Sequence, residues 1–76
     1  MIYCVTFPDG KRTYKYFESE SDFRKFYGNF VRSISLDISV ELVDRMTLKY
    51  LSFSELNHTS ILDVALILKE AEKCKM

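Results

Sequence analysis

The chain has 76 residues, 47% of them hydrophobic and 29% charged, with two glycines and one proline. That composition excludes a disordered tract and provides one thin core, burying roughly 60–65% of the unfolded surface. Eleven basic and eleven acidic residues cancel, so the chain lacks the basic excess with which a dedicated nucleic-acid binder neutralises phosphate.

Residues 2–7 (IYCVTF) and 12–17 (RTYKYF) read as paired strands. Between them, Pro8-Asp9-Gly10 is a turn with a mechanism. Proline presets φ, and glycine takes the left-handed conformation that closes a three-residue hairpin loop. With Phe7 and Lys11 flanking the loop, one face holds Ile2, Cys4, Thr6, Arg12, Tyr14 and Tyr16. The other holds Tyr3, Val5, Phe7, Lys11, Thr13, Lys15 and Phe17. Two lysines and a threonine mark the second face as the solvated one, against Tyr3, Val5 and Phe7 on the same face, and a four-residue loop would reverse the parity.

A helix over about 20–31 follows. Ser19 and Asp22 form a capping box, and Glu20 and Asp22 suit the positive end of the helix dipole. Phe23, Phe26, Tyr27, Phe30 and Val31 recur at helical spacing, a continuous apolar stripe. The stripe carries the helix past Gly28, at about 1 kcal/mol for the glycine.

Residues 34–42 carry the most regular pattern in the chain. Ile34, Leu36, Ile38, Val40 and Leu42 alternate with Ser35, Asp37, Ser39 and Glu41, the period of a strand with one dry and one wet face. A second run, 46–53, pairs with it as a hairpin. An odd-length loop sets Met46, Leu48 and Tyr50 on the apolar face with Leu42, Val40 and Ile38, and Glu41 near Lys49 on the other. Residues 54–60 (SELNHTS) form a cap-rich linker. A last helix over about 61–73 is capped by Ser60 and Asp63, with Ile61, Val64, Ala65, Leu68 and Ala71 as its inner stripe. Leu62 and Leu66 lie on one flank of that stripe and Ile67 on the other.

The expected fold is α+β. One domain, 1–76, has ββαββα order, with two helices packed on one face of a four-stranded antiparallel sheet.

Catalytic and metal chemistry are sought in vain. His58 is the only histidine and sits in the linker. Cys4 and Cys74 stand near opposite ends, with no CxxC or Cys/His cluster. Gly10 and Gly28 cannot make a phosphate-cradling loop. No metal, no cofactor and no enzymatic activity are expected. Met1 leads directly into a strand pattern without a basic leader, and no apolar run reaches the roughly 18–20 residues of a membrane span. A cytoplasmic chain with two free thiols is therefore expected.

What remains is surface. Five tyrosines and six phenylalanines exceed what a core this small hides, and exposed aromatic rings beside basic groups compose a binding hot spot. The expected function is a small protein-binding module, an inhibitor of a host protein complex of the kind made by phages and mobile elements. It would dock through Tyr3, Phe7, Lys11 and Lys15, or through the helix flank with Leu62, Leu66 and Ile67. Two other readings stand beside it. One is single-stranded nucleic-acid binding on the sheet, which the small and acidic residues Ser35, Asp37, Ser39 and Glu41 disfavour. The other is a structural homodimer with Leu62, Leu66 and Ile67 as its seam.

Overall fold

A computed structural model describes residues 1–33 and 37–75, the side chains of 30–33 apart. Strands β1 (Ile2–Thr6) and β2 (Arg12–Tyr16) form the first hairpin. Helix α1 (Glu20–Ser33), strand β3 (Ser39–Leu42) and a short helix α2 (Arg45–Lys49) follow. A 3-10 turn (Phe53–Leu56) and helix α3 (Ile61–Cys74) complete the order. The class is α+β, built on a three-stranded antiparallel sheet in the order β2-β1-β3.

The hairpin has the register its loop dictates. Ile2 pairs with Tyr16, Cys4 with Tyr14 and Thr6 with Arg12. The Phe7 N–H donates to the Lys11 carbonyl at 2.9 Å and the Gly10 N–H to the Phe7 carbonyl at 2.9 Å. Gly10 sits at φ +90°, in the region where only glycine is unstrained. Helix α1 is capped as its sequence implies, the Asp22 N–H donating to the Ser19 hydroxyl at 3.2 Å. It runs through Gly28 to Ser33.

The sheet is covered on both sides, where the sequence implied both helices on one. On the even face, Ile2 and Tyr14 pack with Leu48, Leu51, Leu56, Ile67 and Ala71 into the main core. On the odd face, α1 lays its rings against the hairpin. Tyr3 stacks on Phe23 with centroids 3.6 Å apart, and Phe17 meets Phe26 at 5.3 Å. The face that the lysines marked as solvated is therefore the seat of a second, aromatic layer. Lys15 fits there because its ammonium lies over the Phe26 ring, 5.1 Å from the centroid, while its stem covers the layer.

The expected fourth strand does not form. Residues 46–53 lead instead through α2 into the 3-10 turn, and two caps explain why. The Asp44 carboxylate accepts the Thr47 N–H at 2.7 Å, and the Leu48 N–H bonds to the Asp44 carbonyl at 3.0 Å. These bonds satisfy the first turn of a helix, and the Thr47 N–H, with the Thr47 hydroxyl beside it, holds the Asp44 carboxyl below its ordinary pKa. The Glu55 carboxylate likewise accepts the Ser52 N–H at 3.2 Å. The residues that reach the core are Leu48, Leu51 and Leu56, while Met46, Tyr50 and Phe53 face outward. With the helix started at Asp44, Leu48 and Leu51 fall three apart on its inner side, and Met46 and Tyr50 do not follow them. Lys49 consequently lies on α2, over the Tyr50 ring, rather than in a strand beside Glu41.

Strand β3 is short. Val40 pairs with Val5 and Leu42 with Tyr3 on the face beneath α1, as the alternation of Ile38, Val40 and Leu42 requires. Ile34, Ser35 and Leu36 of that pattern, and the side chains of Phe30 and Val31, lie outside the described residues.

Candidate interaction surface

The rotation of α3 about its axis decides which of its apolar residues are used inside. Two groups at its start set that rotation. The Ser60 hydroxyl caps the helix, accepting the Asp63 N–H at 3.3 Å, and donates to the Asp63 carboxylate at 2.6 Å. The other Asp63 oxygen accepts the Tyr16 N–H of β2 at 3.2 Å. One turn earlier, the buried Thr59 hydroxyl oxygen accepts the Tyr14 N–H at 3.0 Å, and the His58 carbonyl accepts the Thr13 hydroxyl at 3.2 Å. The start of α3 is thus bonded along the outer edge of β2.

With that edge engaged, Val64, Ile67, Leu68 and Ala71 turn inward, and Ile67 is 0% exposed. Ile61, assigned to the inner stripe by its spacing, is 88% exposed, and Leu62 is 81% exposed. Leu66 follows Leu62 one turn on and is also exposed. The 3-10 turn contributes the last member. It buries Leu56 and throws Phe53 outward at 71% exposure. Phe53 and Ile61 line one groove of about 320 Å³ together with Leu56, Asn57, Thr59 and Val64.

Exposed apolar side chains therefore gather at this end of α3: Phe53 and Ile61 at the groove, and Leu62 and Leu66 one turn apart on the helix. Each such side chain forgoes about 1.5–3 kcal/mol by staying in water, and scattered single exposure is ordinary whereas a contiguous patch is not. Beyond Leu66 the same helix face turns polar, with Lys69, Glu72 and Lys73 all exposed. Lys73 is paired to Glu70 at 3.3 Å.

The two sets of residues expected to meet a partner fare differently. Leu62 and Leu66 stand on the open face of α3, while Ile67 is at the centre of the core. In the hairpin, Tyr3 is buried in the stack on Phe23, and Lys15 is held over Phe26 with its ammonium 3.8 Å from the Asp63 carboxylate. Phe7 is half-buried. Lys11 is exposed at the loop, 3.8 Å from Asp9. The hairpin thus spends Tyr3 and Lys15 internally. For Phe53 the sequence does hold a signal: the SFSE run 52–55 has capping-box spacing, which starts a helical turn at Phe53.

The remaining polar groups are ordinary. His58 is exposed, and Cys4 and Cys74 are free and half-buried. Burial pushes the Tyr14 phenol above its usual pKa, with the Cys4 thiol beside it adding to the shift. Among the described residues, no three His, Cys, Asp or Glu side chains converge as a metal site, and no helix is long and apolar enough to cross a membrane. Set against family models, curated proteins and solved structures, the chain matches none of them.

Proposed function

We propose that the chain is a non-enzymatic protein-binding module, acting as an inhibitor, and that it docks through the open face of α3. The observation that carries this reading is the exposure of Ile61, Leu62 and Leu66 on α3 and of Phe53 in the turn before it, with Phe53 and Ile61 lining one groove. A module of this size has few apolar residues to spare, and four on one side of one helix and its neighbouring turn are best accounted for by a partner that covers them. The partner's chemistry follows from the border. Lys69 lies one turn beyond Leu66 on the same face, so the matching surface is an apolar ridge flanked by a carboxylate. Aromatic and aliphatic anchors at the centre with a polar rim is the usual anatomy of such contacts.

The test is a comparison of two baits in extract from the source organism, followed by reconstitution with the captured protein. Leu62→Glu places a charge at the centre of the surface without touching the core. Loss of a stoichiometric partner with this variant, at unchanged circular dichroism, supports the reading. No stoichiometric partner for the wild type, or equal binding by the variant, refutes it.

A further inference from the structure

We propose that β3 is a self-association edge, two copies pairing antiparallel through it to give a six-stranded sheet in the order β2-β1-β3-β3-β1-β2. This uses a different surface from the one assigned above and stands independently of it.

The two outer edges of the sheet are treated oppositely. On β2, the outward amides of Tyr14 and Tyr16 are taken by Thr59 and Asp63 at 3.0 and 3.2 Å. No further strand can add there. On β3, the Val43 N–H donates to the Ile2 carbonyl at 2.8 Å, and Glu41 and Ser39 sit across from Cys4 and Thr6. This phase turns the odd residues toward β1 and the peptide groups of Val40 and Leu42 outward. Among the described residues, none bonds to these outward groups. Nor does β3 carry the proline or lysine that usually blunts an edge.

The order of side chains names a second copy as the occupant. Pairing through the outward groups of Val40 and Leu42 allows two close registers about a two-fold axis. One is centred on Glu41 and sets that carboxylate against its own copy, which like charges disfavour. The other is centred on Val40. It sets Val40 against Val40, Ile38 against Leu42 and Ser39 against Glu41. The apolar row beneath α1 then continues across the two-fold, and on the opposite face each carboxylate meets a hydroxyl. Leu42, which β1 leaves 55% exposed, gains a neighbour. The segment 38–42 is self-complementary, as a two-fold interface demands.

Sedimentation equilibrium or light scattering from about 10 µM to about 1 mM reads the association directly. The expected result is a mass rising from 9.0 kDa toward twice that value. Val40→Pro removes an outward N–H while leaving every β1–β3 ladder bond in place, and it abolishes the rise. Ser39 is exposed, so its variants retain the fold. Ser39→Lys tightens the dimer and Ser39→Glu weakens it, each by roughly 2- to 30-fold, because the contact occurs twice about the axis. A monomer throughout that range overturns the proposal, as does a dimer indifferent to both Ser39 variants.

Discussion

The bond between Thr59 and Tyr14 offers a direct test of how α3 is anchored. Thr59→Val keeps the shape of the side chain and removes the oxygen that accepts the Tyr14 N–H at 3.0 Å in a buried setting. A buried donor left without an acceptor costs about 1–3 kcal/mol. A chain of this length has a total stability of about 4–11 kcal/mol. The substitution therefore removes a substantial share of it, and lowers the melting temperature by roughly 5–20 °C. Thr59→Ser is the control. It retains the oxygen, loses only a methyl group and falls much closer to the wild type. Urea denaturation gives the free energies, and hydrogen exchange at the Tyr14 amide locates the effect. A Thr59→Val protein within about 0.5 kcal/mol of the wild type, with the Tyr14 amide still fully protected, would refute the account of the sealed edge.

Other outcomes follow from the same structure. Ile67→Ala, at the most buried position, costs about 2–5 kcal/mol in urea titration, whereas Ile61→Ser changes stability by less than about 0.5 kcal/mol; equal losses at the two would contradict the rotation of α3. Gly10→Ala meets no neighbouring atom but forces an L-residue to φ +90°, and it destabilises by about 1–2 kcal/mol in the same assay. The Asp44 carboxyl titrates below its ordinary 3.8 in the folded chain. Its contribution is therefore complete above that value and is lost as pH falls through the lower folded value. Protection of the Thr47 amide, measured against its intrinsic exchange rate at each pH, should fall on acidification through that window, and Asp44→Asn should remove the pH dependence while keeping the cap.

Local chemistry made part of this fold legible in the sequence. Pro8-Asp9-Gly10 determined a loop length, the loop length determined the register of β1 on β2, and Ser19 and Ser60 marked where two helices begin. Those signals act over a few residues and nothing distant competes with them. The segment after β3 is ambiguous in sequence because Met46, Leu48 and Tyr50 fit a strand's period as well as Leu48 and Leu51 fit a helix's. Asp44 decided between them by capping Thr47, a bond of local geometry that hydrophobic period does not weigh.

The covering of both sheet faces was hidden for a different reason. Lys11 and Lys15 look like solvent markers, yet Lys15 reaches out over Phe26 to Asp63 and leaves its stem on the aromatic layer. On α3, Leu62 and Leu66 were legible as residues beyond the needs of one buried face. The burial of Ile67 is not legible in the same way, because the helix's rotation depends on Asp63 reaching the Tyr16 amide, 47 residues away in the chain. The proposed docking surface owes its shape to that bond and to those of Thr59 and His58 beside it.

The central claim is that the open face of α3, not the first hairpin, meets the partner. Affinity capture with three baits tests it most directly: the wild type, Leu62→Glu and Lys11→Glu. The expected result is one protein recovered stoichiometrically by the wild type and by Lys11→Glu, and absent with Leu62→Glu. Retention by Leu62→Glu with loss by Lys11→Glu would contradict it and move the site to the hairpin loop.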